Sequence, residues 1–525
     1  KTTTHTYDGA DRLIHTDYPD STHESWTYRD DGRVWTHTDG RARVTTYRYD
    51  ADDRLAGSGS YKAIDYPNDT DVQITRDKDG LITQVVDASG TTTNVYYPST
   101  WVKTVQNGAG KTVTYQYNGV GDVSTMTTPG SLNFTYSYNA RNQLDSVSNP
   151  NGVTVSFTYD NGGRRTRVTR PGSYIDYQYN ARDWLTAVLN RTTGGTTRYD
   201  ARYYYQDGTL WDHTGNPVKR TEDFGTGSYT TTLRYDNVYR QTQELLKDPS
   251  NNTVYSETYG YDAVGNRTSM VKDGTTYTYT YDNNDKLTAI SGGGQSASMT
   301  YDNNGNMTGV SGTMFGSKTL VYDDENRLTS ITYGGVTDLY YYNWQGLRYR
   351  ARLAGTYWRY VYNGDRVLEE TNDSGTVLAR YTTESGSYYE PLLHMWRSSS
   401  VSRFPLYDSI GTARGLLDAS GTVTDNYVLD TFGRYVSGSG TTVNPYKYGA
   451  AWGYITDPSG MLQLGARFYW PEVGRFVQRD RATEMPGPGS SSYVYVANGP
   501  VVAVDPNGYK LWDSDCAHIT ARGAI

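Results

Sequence analysis

The feature that most constrains this chain is a Tyr-Asp pair that recurs about every 20 residues. Residues 261–267 read YDAVGNR, and the pair returns as YDNNDKL, YDNNGNM and YDDENRL. A catalytic motif is normally written once, whereas a period sustained over most of a chain is typical of a repeat architecture. The opening tyrosines stand 20 or 21 positions apart in three runs: Tyr7, Tyr28 and Tyr49; Tyr117, Tyr138, Tyr159 and Tyr179; Tyr261, Tyr281, Tyr301, Tyr322, Tyr342 and Tyr362.

Each repeat has the pattern of a strand, a turn and a returning strand. The segment TTYTYTYD (275–282) alternates tyrosine with threonine, which is the period of a β-strand. Turns such as AVGN or DENR follow, where Gly and Asn tolerate positive φ and the Asp carboxylate can accept backbone N–H groups. One repeat is therefore about one β-hairpin, and hairpins of this size must stack into a continuous sheet. We expect ladders of stacked tyrosines, with the Arg or Asn after each turn packed on a neighbouring ring.

The composition favours a β protein with an aromatic interior. Apolar residues make up 36% of the chain and the mean hydropathy is −0.73, values that alone would favour disorder. The chain nevertheless has 53 Tyr and 11 Trp against 8 Phe, so its buried surface is built from rings that carry a polar group. Abundant threonine and 55 Gly favour strands joined by many turns.

Several classes of protein are disfavoured by the sequence. The formal charge of −8 comes from interspersed acidic and basic residues, which argues against a nucleic-acid partner. The single cysteine, Cys516, cannot form an intrachain disulfide. No apolar run of about 18 residues occurs, so no membrane span is predicted. Because the chain begins at Lys1, we expect a fragment or processed product whose export signal lies upstream.

The repeats YDAVGNRT, YDNNGNMT, YDDENRLTSI and YDGADRLI resemble the YD repeats of the Rhs proteins, which toxin-complex B and C components and teneurins share. The likeness covers about residues 1 to 440. It implies an all-β fold in which a YD-repeat β-hairpin array (1–400) coils into a hollow shell or partial shell. The Rhs-associated core (401–509) would cap this shell, and a short tail (510–525) would follow.

Two strings near the end resemble the core of the Rhs family. ARFYWPEVGRF follows its R-x-Y-x-P-x-x-G-R-F pattern, and NGPVVAVDPNG follows its N-x-P-x-x-x-x-D-P-x-G ending. The resemblance implies a self-cleaving aspartyl site that acts only on its own chain, without a metal or another cofactor. The matching positions are Arg467, Asp480 and Asp505. The expected scissile bond joins Tyr509 to Lys510, where the family usually places Leu before the break.

The chemistry of such a site is reasonable from the residue types. Cutting a peptide near neutral pH with two carboxyl groups requires one ionised group to activate water and one protonated group to donate a proton. Two close aspartates share a proton because both are not easily charged together, and a guanidinium would hold one of them ionised. The alternative is that Asp480 and Asp505 cap turns like the earlier aspartates, while Arg467 packs on a ring.

The resemblance implies a shell that encloses a C-terminal polypeptide, usually a toxin, and separates it by autoproteolysis. The expected partners are this cargo and either upstream delivery domains or a B-component-like shell partner, at a secreted or cell-surface bacterial location. The segment 510–525 is too short to be a folded toxin. Two alternatives remain: a cell-surface adhesion or carbohydrate-binding protein, and a purely structural YD-repeat protein without cleavage activity.

Overall fold

A computed structural model describes residues 2–52, 54–57, 62–208, 210–212, 214–384, 391–398, 400–480 and 491–509. Within these ranges the regular elements are β-strands and two single-turn 3-10 helices, Ala450–Trp452 and Val496–Asn498. The chain forms two compact units: unit 1 contains 1–132, 279–361 and 477–479, and unit 2 contains 133–278, 362–476 and 480–525. The domain boundaries proposed from the sequence differ from these units and stay predictions.

Unit 1 is built from antiparallel strands, and within each sheet the neighbouring strands pair in chain order. The first six strands form one sheet in the order β1 to β6, and a second sheet begins at β7. The strands are β1 (Thr4–Tyr7), β2 (Leu13–Asp17), β3 (His23–Tyr28), β4 (Val34–Thr38), β5 (Val44–Tyr47), β6 (Ile64–Asp65), β7 (Gln73–Arg76), β8 (Ile82–Asp87), β9 (Gly90–Tyr96), β10 (Val102–Gln106), β11 (Thr112–Tyr117), β12 (Val123–Thr127), β28 (Leu287–Gly292), β29 (Gln295–Tyr301), β30 (Met307–Gly312), β31 (Lys318–Tyr322), β32 (Leu328–Tyr333), β33 (Val336–Tyr342), β34 (Arg348–Leu353) and β35 (Thr356–Asn363).

Unit 2 follows the same sequential antiparallel pairing, except that β19 pairs with β22 across a small β20–β21 hairpin. A separate four-stranded sheet, β43 to β46, precedes the end of the described chain. The strands are β13 (Asn133–Tyr138), β14 (Leu144–Ser148), β15 (Thr154–Tyr159), β16 (Arg165–Arg170), β17 (Ser173–Tyr179), β18 (Leu185–Thr192), β19 (Thr197–Tyr204), β20 (Gln206–Asp207), β21 (Leu210–Trp211), β22 (Lys219–Asp223), β23 (Ser228–Tyr235), β24 (Gln241–Lys247), β25 (Thr253–Tyr261), β26 (Arg267–Lys272), β27 (Thr275–Tyr281), β36 (Arg366–Thr371), β37 (Val377–Thr383), β38 (Leu392–Arg397), β39 (Val401–Tyr407), β40 (Ala413–Leu417), β41 (Val423–Leu429), β42 (Tyr435–Ser439), β43 (Ile455–Thr456), β44 (Leu462–Leu464), β45 (Arg467–Trp470) and β46 (Arg475–Phe476).

The aspartate of the repeat caps the turn, as the sequence predicted. In the hairpin of β15 and β16, the Asp160 Oδ1 atom accepts the Arg164 N–H at 2.9 Å, and the Asp160 N–H donates to the Arg164 carbonyl at 2.9 Å. The residue before the arginine, Gly163, has a φ of +84°, which glycine adopts without steric cost. The pairing register of β15 and β16 shifts between Thr158 and Tyr159, so a bulge accompanies the turn.

The tyrosine and the basic residue join each repeat to a neighbour. The basic residue that follows the turn lies over the ring of the tyrosine that opens the next repeat, with the guanidinium carbon 4.8–5.4 Å from the ring centroid in five repeats: Arg12 on Tyr28, Arg33 on Tyr49, Arg164 on Tyr179, Arg240 on Tyr261 and Arg327 on Tyr342. The tyrosine hydroxyl donates to a backbone carbonyl of the preceding repeat at 2.7–3.0 Å: Tyr28 to Leu13, Tyr49 to Val34, Tyr117 to Val102, Tyr159 to Leu144, Tyr322 to Met307 and Tyr342 to Leu328. We call the aspartate, its basic residue and the next tyrosine the YD clasp. The expected packing of basic residues on rings is confirmed, whereas the carbonyl bond of the tyrosine was not anticipated.

The interior of unit 2 contains paired charges as well as aromatic rings. Arg165 is buried, and its Nη2 atom donates to Glu384 at 2.8 Å. Burying a charge is costly unless the charge is paired and hydrogen-bonded. Arg165 also lies 4.4 Å from the Phe157 ring centroid, so a cation and an apolar ring share the same buried face.

Candidate active site

The candidate site forms around the hairpin of β44 and β45. Gly465 and Ala466 connect the two strands, and Leu464 pairs with Arg467 in register. This hairpin places Arg467 at the start of β45 with only 4% of its surface exposed. The sequence strings RFY and DPNG therefore meet in space, because the chain after 500 returns to this hairpin: the Ala466 N–H donates to the Asn507 carbonyl at 3.1 Å.

Two glycines permit this close approach of backbones. A methyl group on Gly465 would collide with the Asn507 carbonyl, and one on Gly508 would collide with the Leu464 carbonyl. Gly508 also has a φ of +76°, a conformation that side chains disfavour. Because neither glycine has a side chain, the DPNG segment (505–508) packs directly against the β44–β45 turn.

Arg467 brings the two predicted aspartates together. Its Nη2 atom lies 2.8 Å from Asp480 Oδ2 and 3.2 Å from Asp505 Oδ2. All three side chains are largely buried, so solvent screens their interactions only weakly. Both carboxylates therefore contact the same guanidinium nitrogen.

The other nitrogens of Arg467 hold the backbone around the site. Arg467 Nε donates to the Gly508 carbonyl, and Nη1 donates to the Ser492 carbonyl at 3.2 Å. The guanidinium carbon lies 3.6 Å from the Phe476 ring centroid, so the ring covers one face of the cation. The ring-packing role that the sequence offered as an alternative is therefore also present, alongside the two ion pairs.

Sequence reasoning missed the tyrosine that contacts the backbone of Asp505. The Asp505 N–H donates to the Tyr454 hydroxyl at 2.7 Å, and the Tyr454 hydroxyl lies 3.2 Å from the Tyr495 hydroxyl. Burial, together with the neighbouring Tyr495 and the charge of Asp505, raises the pKa of Tyr454 well above its ordinary value. No motif marks these two tyrosines among the 53 in the chain.

The predicted cleavage point lies directly after the site. Tyr509 is 41% exposed, and its N–H donates to the Asn507 side-chain oxygen at 3.0 Å. The Gly508 carbonyl, held by Arg467, belongs to the peptide immediately before the predicted scissile one. Lys510 and the tail that begins with it lie outside the described residues, so the cleavage itself stays a prediction.

Within the described ranges, no group of three or more His, Cys, Asp and Glu side chains could hold a metal ion. In the same part of the chain, none of the helices has the length and apolar character needed to cross a membrane.

Two sequence families match the chain. Residues 138–175 match the family described as RHS Repeat, and residues 209–381 match the family described as Teneurin YD-shell.

Solved structures share the fold over nearly the whole chain. The TcdB2-TccC3-TEV crystal structure aligns with a TM-score of 0.77 at 17% identity, covering 96% of this chain and 28% of that one. The crystal structure of TcdB2-TccC3 without its hypervariable C-terminal region gives a TM-score of 0.72 at 16% identity, covering 96% and 28%. The all-β, YD-repeat shell fold predicted from the sequence is thereby confirmed.

Curated relatives match about half of the chain. The tRNA3(Ser)-specific nuclease WapA of Bacillus spizizenii is 28% identical over 293 residues, which cover 52% of this chain and 12% of the relative. The tRNA nuclease WapA of Bacillus subtilis is 26% identical over 292 residues, with the same coverage. The chain thus matches only a small share of the length of either nuclease. Over residues 138–175 and 209–381 the chain therefore matches the RHS-repeat and teneurin YD-shell families, and as a whole it shares the fold of TcdB2-TccC3 and has sequence similarity to WapA.

Proposed function

We propose that this chain is the shell segment of an Rhs-type protein that encloses a C-terminal polypeptide and separates it by aspartyl autoproteolysis. The proposal rests on one observation above all. A single buried guanidinium, that of Arg467, contacts Asp480, Asp505 and the carbonyl of Gly508, one peptide before the predicted break.

The mechanism uses the two carboxyl groups in opposite protonation states. The ionised carboxylate takes a proton from a water molecule, whose oxygen attacks the carbonyl carbon of Tyr509. The protonated carboxyl group donates its proton toward the departing nitrogen of Lys510, and the C–N bond breaks. The products are a carboxylate at Tyr509 and an amine at Lys510. Arg467 stabilises the ionised partner and fixes the backbone one peptide before the bond.

The relatives support an enclosing role. The curated relatives are named as tRNA nucleases, and the region shared with this chain covers only 12% of the first of them. One of the solved structures is of TcdB2-TccC3 without its hypervariable C-terminal region. A shell followed by a variable toxic segment is consistent with both. We infer that the cargo of this protein follows Tyr509, that a TcdB2-like component or an upstream delivery segment joins the shell, and that the protein acts outside the producing cell or at its surface.

The adhesion or carbohydrate-binding alternative shares the fold, since the Teneurin YD-shell match spans residues 209–381. A purely structural role without cleavage shares it as well. Neither alternative requires the convergence of Arg467 with Asp480 and Asp505, so the cleavage proposal is favoured.

The test is the intact mass of the purified chain under denaturing conditions. We expect the parent to break after Tyr509, and the Asp480→Asn and Asp505→Asn variants to remain whole. Asp457→Asn is a matched control because DPSG (457–460) forms a turn of the same type as DPNG, with the Gly460 N–H donating to the Asp457 carbonyl at 3.0 Å. This control should break like the parent. An intact parent, or breakage in both site variants, would overturn the proposal.

A further inference from the structure

The backbone of Asp505 is held by a phenol in the interior of unit 2. The Asp505 N–H donates to the Tyr454 hydroxyl at 2.7 Å, and both residues are buried. A buried backbone N–H needs an acceptor, and at the candidate aspartate that acceptor is a side-chain hydroxyl. The Tyr454 side chain therefore fixes the position of the Asp505 main chain, from which the Asp505 carboxylate extends.

The hydroxyl of Tyr454 is itself held in place. Because its oxygen accepts the Asp505 N–H, its proton is free to point to Tyr495, whose hydroxyl oxygen lies 3.2 Å away. Tyr495 in turn interacts with Tyr448, whose hydroxyl donates to the Thr431 carbonyl at 2.9 Å. Three buried phenols thus connect Asp505 to the main chain at residue 431.

These phenols do not ionise at neutral pH. Burial raises the pKa values of Tyr454 and Tyr448 far above the working range, so both hydroxyls stay protonated. A neutral hydroxyl with fixed donor and acceptor directions acts as a rigid dipole. Its effect on Asp505 is therefore positional and electrostatic.

We propose that Tyr454, braced by Tyr495, is a positioning residue for Asp505 in the self-cleavage reaction. This inference rests on the proposed function. Tyr454 holds the Asp505 main chain so that the carboxylate stays on Arg467 while the Gly508 carbonyl occupies the Nε donor of the same guanidinium. Loss of the hydroxyl leaves the Asp505 N–H without this acceptor, and the N–H then turns toward its own carboxylate.

The test compares Tyr454→Phe with Tyr469→Phe in the full chain. Tyr469 belongs to the same buried aromatic cluster, with its ring 4.7 Å from that of Tyr495, but its hydroxyl donates to the Phe432 carbonyl at 2.8 Å. Each variant therefore loses one buried phenol hydroxyl. We expect Tyr454→Phe to slow self-cleavage at least tenfold, and Tyr469→Phe to cleave within about threefold of the parent.

The pH profile separates positioning from simple loss of stability. In this proposal Asp505 is the ionised carboxylate that activates water. An N–H turned toward it favours the ionised form, so the acid limb of the rate profile should move to lower pH in Tyr454→Phe. Tyr469→Phe should keep the parental profile. Equal rates and equal profiles in the two variants, with a cleaving parent, would overturn the positioning role alone. An intact parent would overturn the proposed function as well.

Hydrogen exchange provides a readout that does not depend on cleavage. In the uncleaved Asp480→Asn background, the Asp505 amide should exchange at least tenfold faster when Tyr454→Phe is added. Adding Tyr469→Phe should leave this amide unchanged. Equal protection of the amide in both double variants would show that the Tyr454 bond does not hold Asp505, and would overturn the inference.

Discussion

Tyr322 donates its hydroxyl hydrogen bond to the carbonyl oxygen of Met307, 2.8 Å away, across the boundary between two repeats. The carbonyl belongs to the first residue of β30, directly after the preceding turn. The bond explains why the repeat uses tyrosine and rarely phenylalanine at this position: the ring fills the sheet surface, and the hydroxyl satisfies a main-chain group of the neighbouring repeat.

Removing this hydroxyl should loosen the neighbouring hairpin. Tyr322→Phe leaves the buried Met307 carbonyl without its partner, which costs about 1–3 kcal/mol. We expect faster amide exchange in β30 and β31, measured by mass spectrometry. Tyr7→Phe is the matched control at the same repeat position, because Tyr7 is 55% exposed, and it should leave exchange unchanged. Unchanged protection in Tyr322→Phe would contradict this role of the hydroxyl.

Gly508→Ala should disrupt the site. The added methyl group would meet the Leu464 carbonyl, and the φ of +76° is unfavourable for alanine. We expect self-cleavage at least about tenfold slower, since small misplacements at a reacting centre are costly. Gly460→Ala is the control, because Gly460 has a similar φ of +82° in a DPSG turn and no atom within 4 Å of the added methyl group. Equal slowing in both variants would attribute the effect to backbone strain alone.

Arg467→Lys should fail to replace the arginine. Lysine keeps a positive charge but has no planar fork to contact Asp480, Asp505 and the Gly508 carbonyl together. We expect loss of cleavage by about 100-fold or more, together with a lower melting temperature because buried carboxylates lose a partner. Intact-mass kinetics and calorimetry measure the two effects. Parental cleavage in Arg467→Lys would show that charge alone suffices.

His394 should make the stability of the protein fall on acidification. Burial lowers the pKa of His394 to about 3, and its Nδ1 atom accepts a hydrogen bond from the Asn149 side chain at 2.8 Å. Between pH 6.5 and about 3, His394 is protonated in the unfolded chain but stays neutral in the native protein. Stability that is present above pH 6.5 is therefore lost as the pH falls. From pH 6.5 to 5 the expected loss is about 2 kcal/mol.

His394→Gln tests this assignment, since glutamine stays neutral throughout and keeps an acceptor for Asn149. Denaturant unfolding of the parent and the variant at pH 7 and pH 5 should show the smaller pH effect in the variant. An equal pH effect in both proteins would mean that His394 does not control this loss.

The repeat made most of the fold predictable. A period of 20 or 21 residues, with tyrosine and threonine alternating before each turn, leaves few arrangements other than stacked antiparallel hairpins. The cap role of the aspartate also follows from local chemistry, as Asp160 illustrates. The carbonyl bond of Tyr322 was not predictable, because it depends on the stagger between neighbouring hairpins, which the sequence period does not specify.

The candidate site was predictable only in part. Family strings pointed to Arg467, Asp480 and Asp505, and the structure brings their side chains together. Tyr454 could not be found this way, because one tyrosine among many carries no spacing signal and its partner is a backbone N–H 51 residues away. The tight contacts of Gly465 with Asn507 and of Gly508 with Leu464 likewise become visible only when the two turns are seen side by side.

The YD clasp also bears on how such chains can change in size. Each clasp is completed within a repeat and its immediate neighbour, as Arg327 over Tyr342 shows. Gain or loss of one whole repeat leaves every remaining clasp complete, whereas an insertion of half a repeat exchanges the two sheet faces or separates a basic residue from its ring. A gene for this architecture can therefore gain or lose whole repeats without any change in the residues of the terminal site.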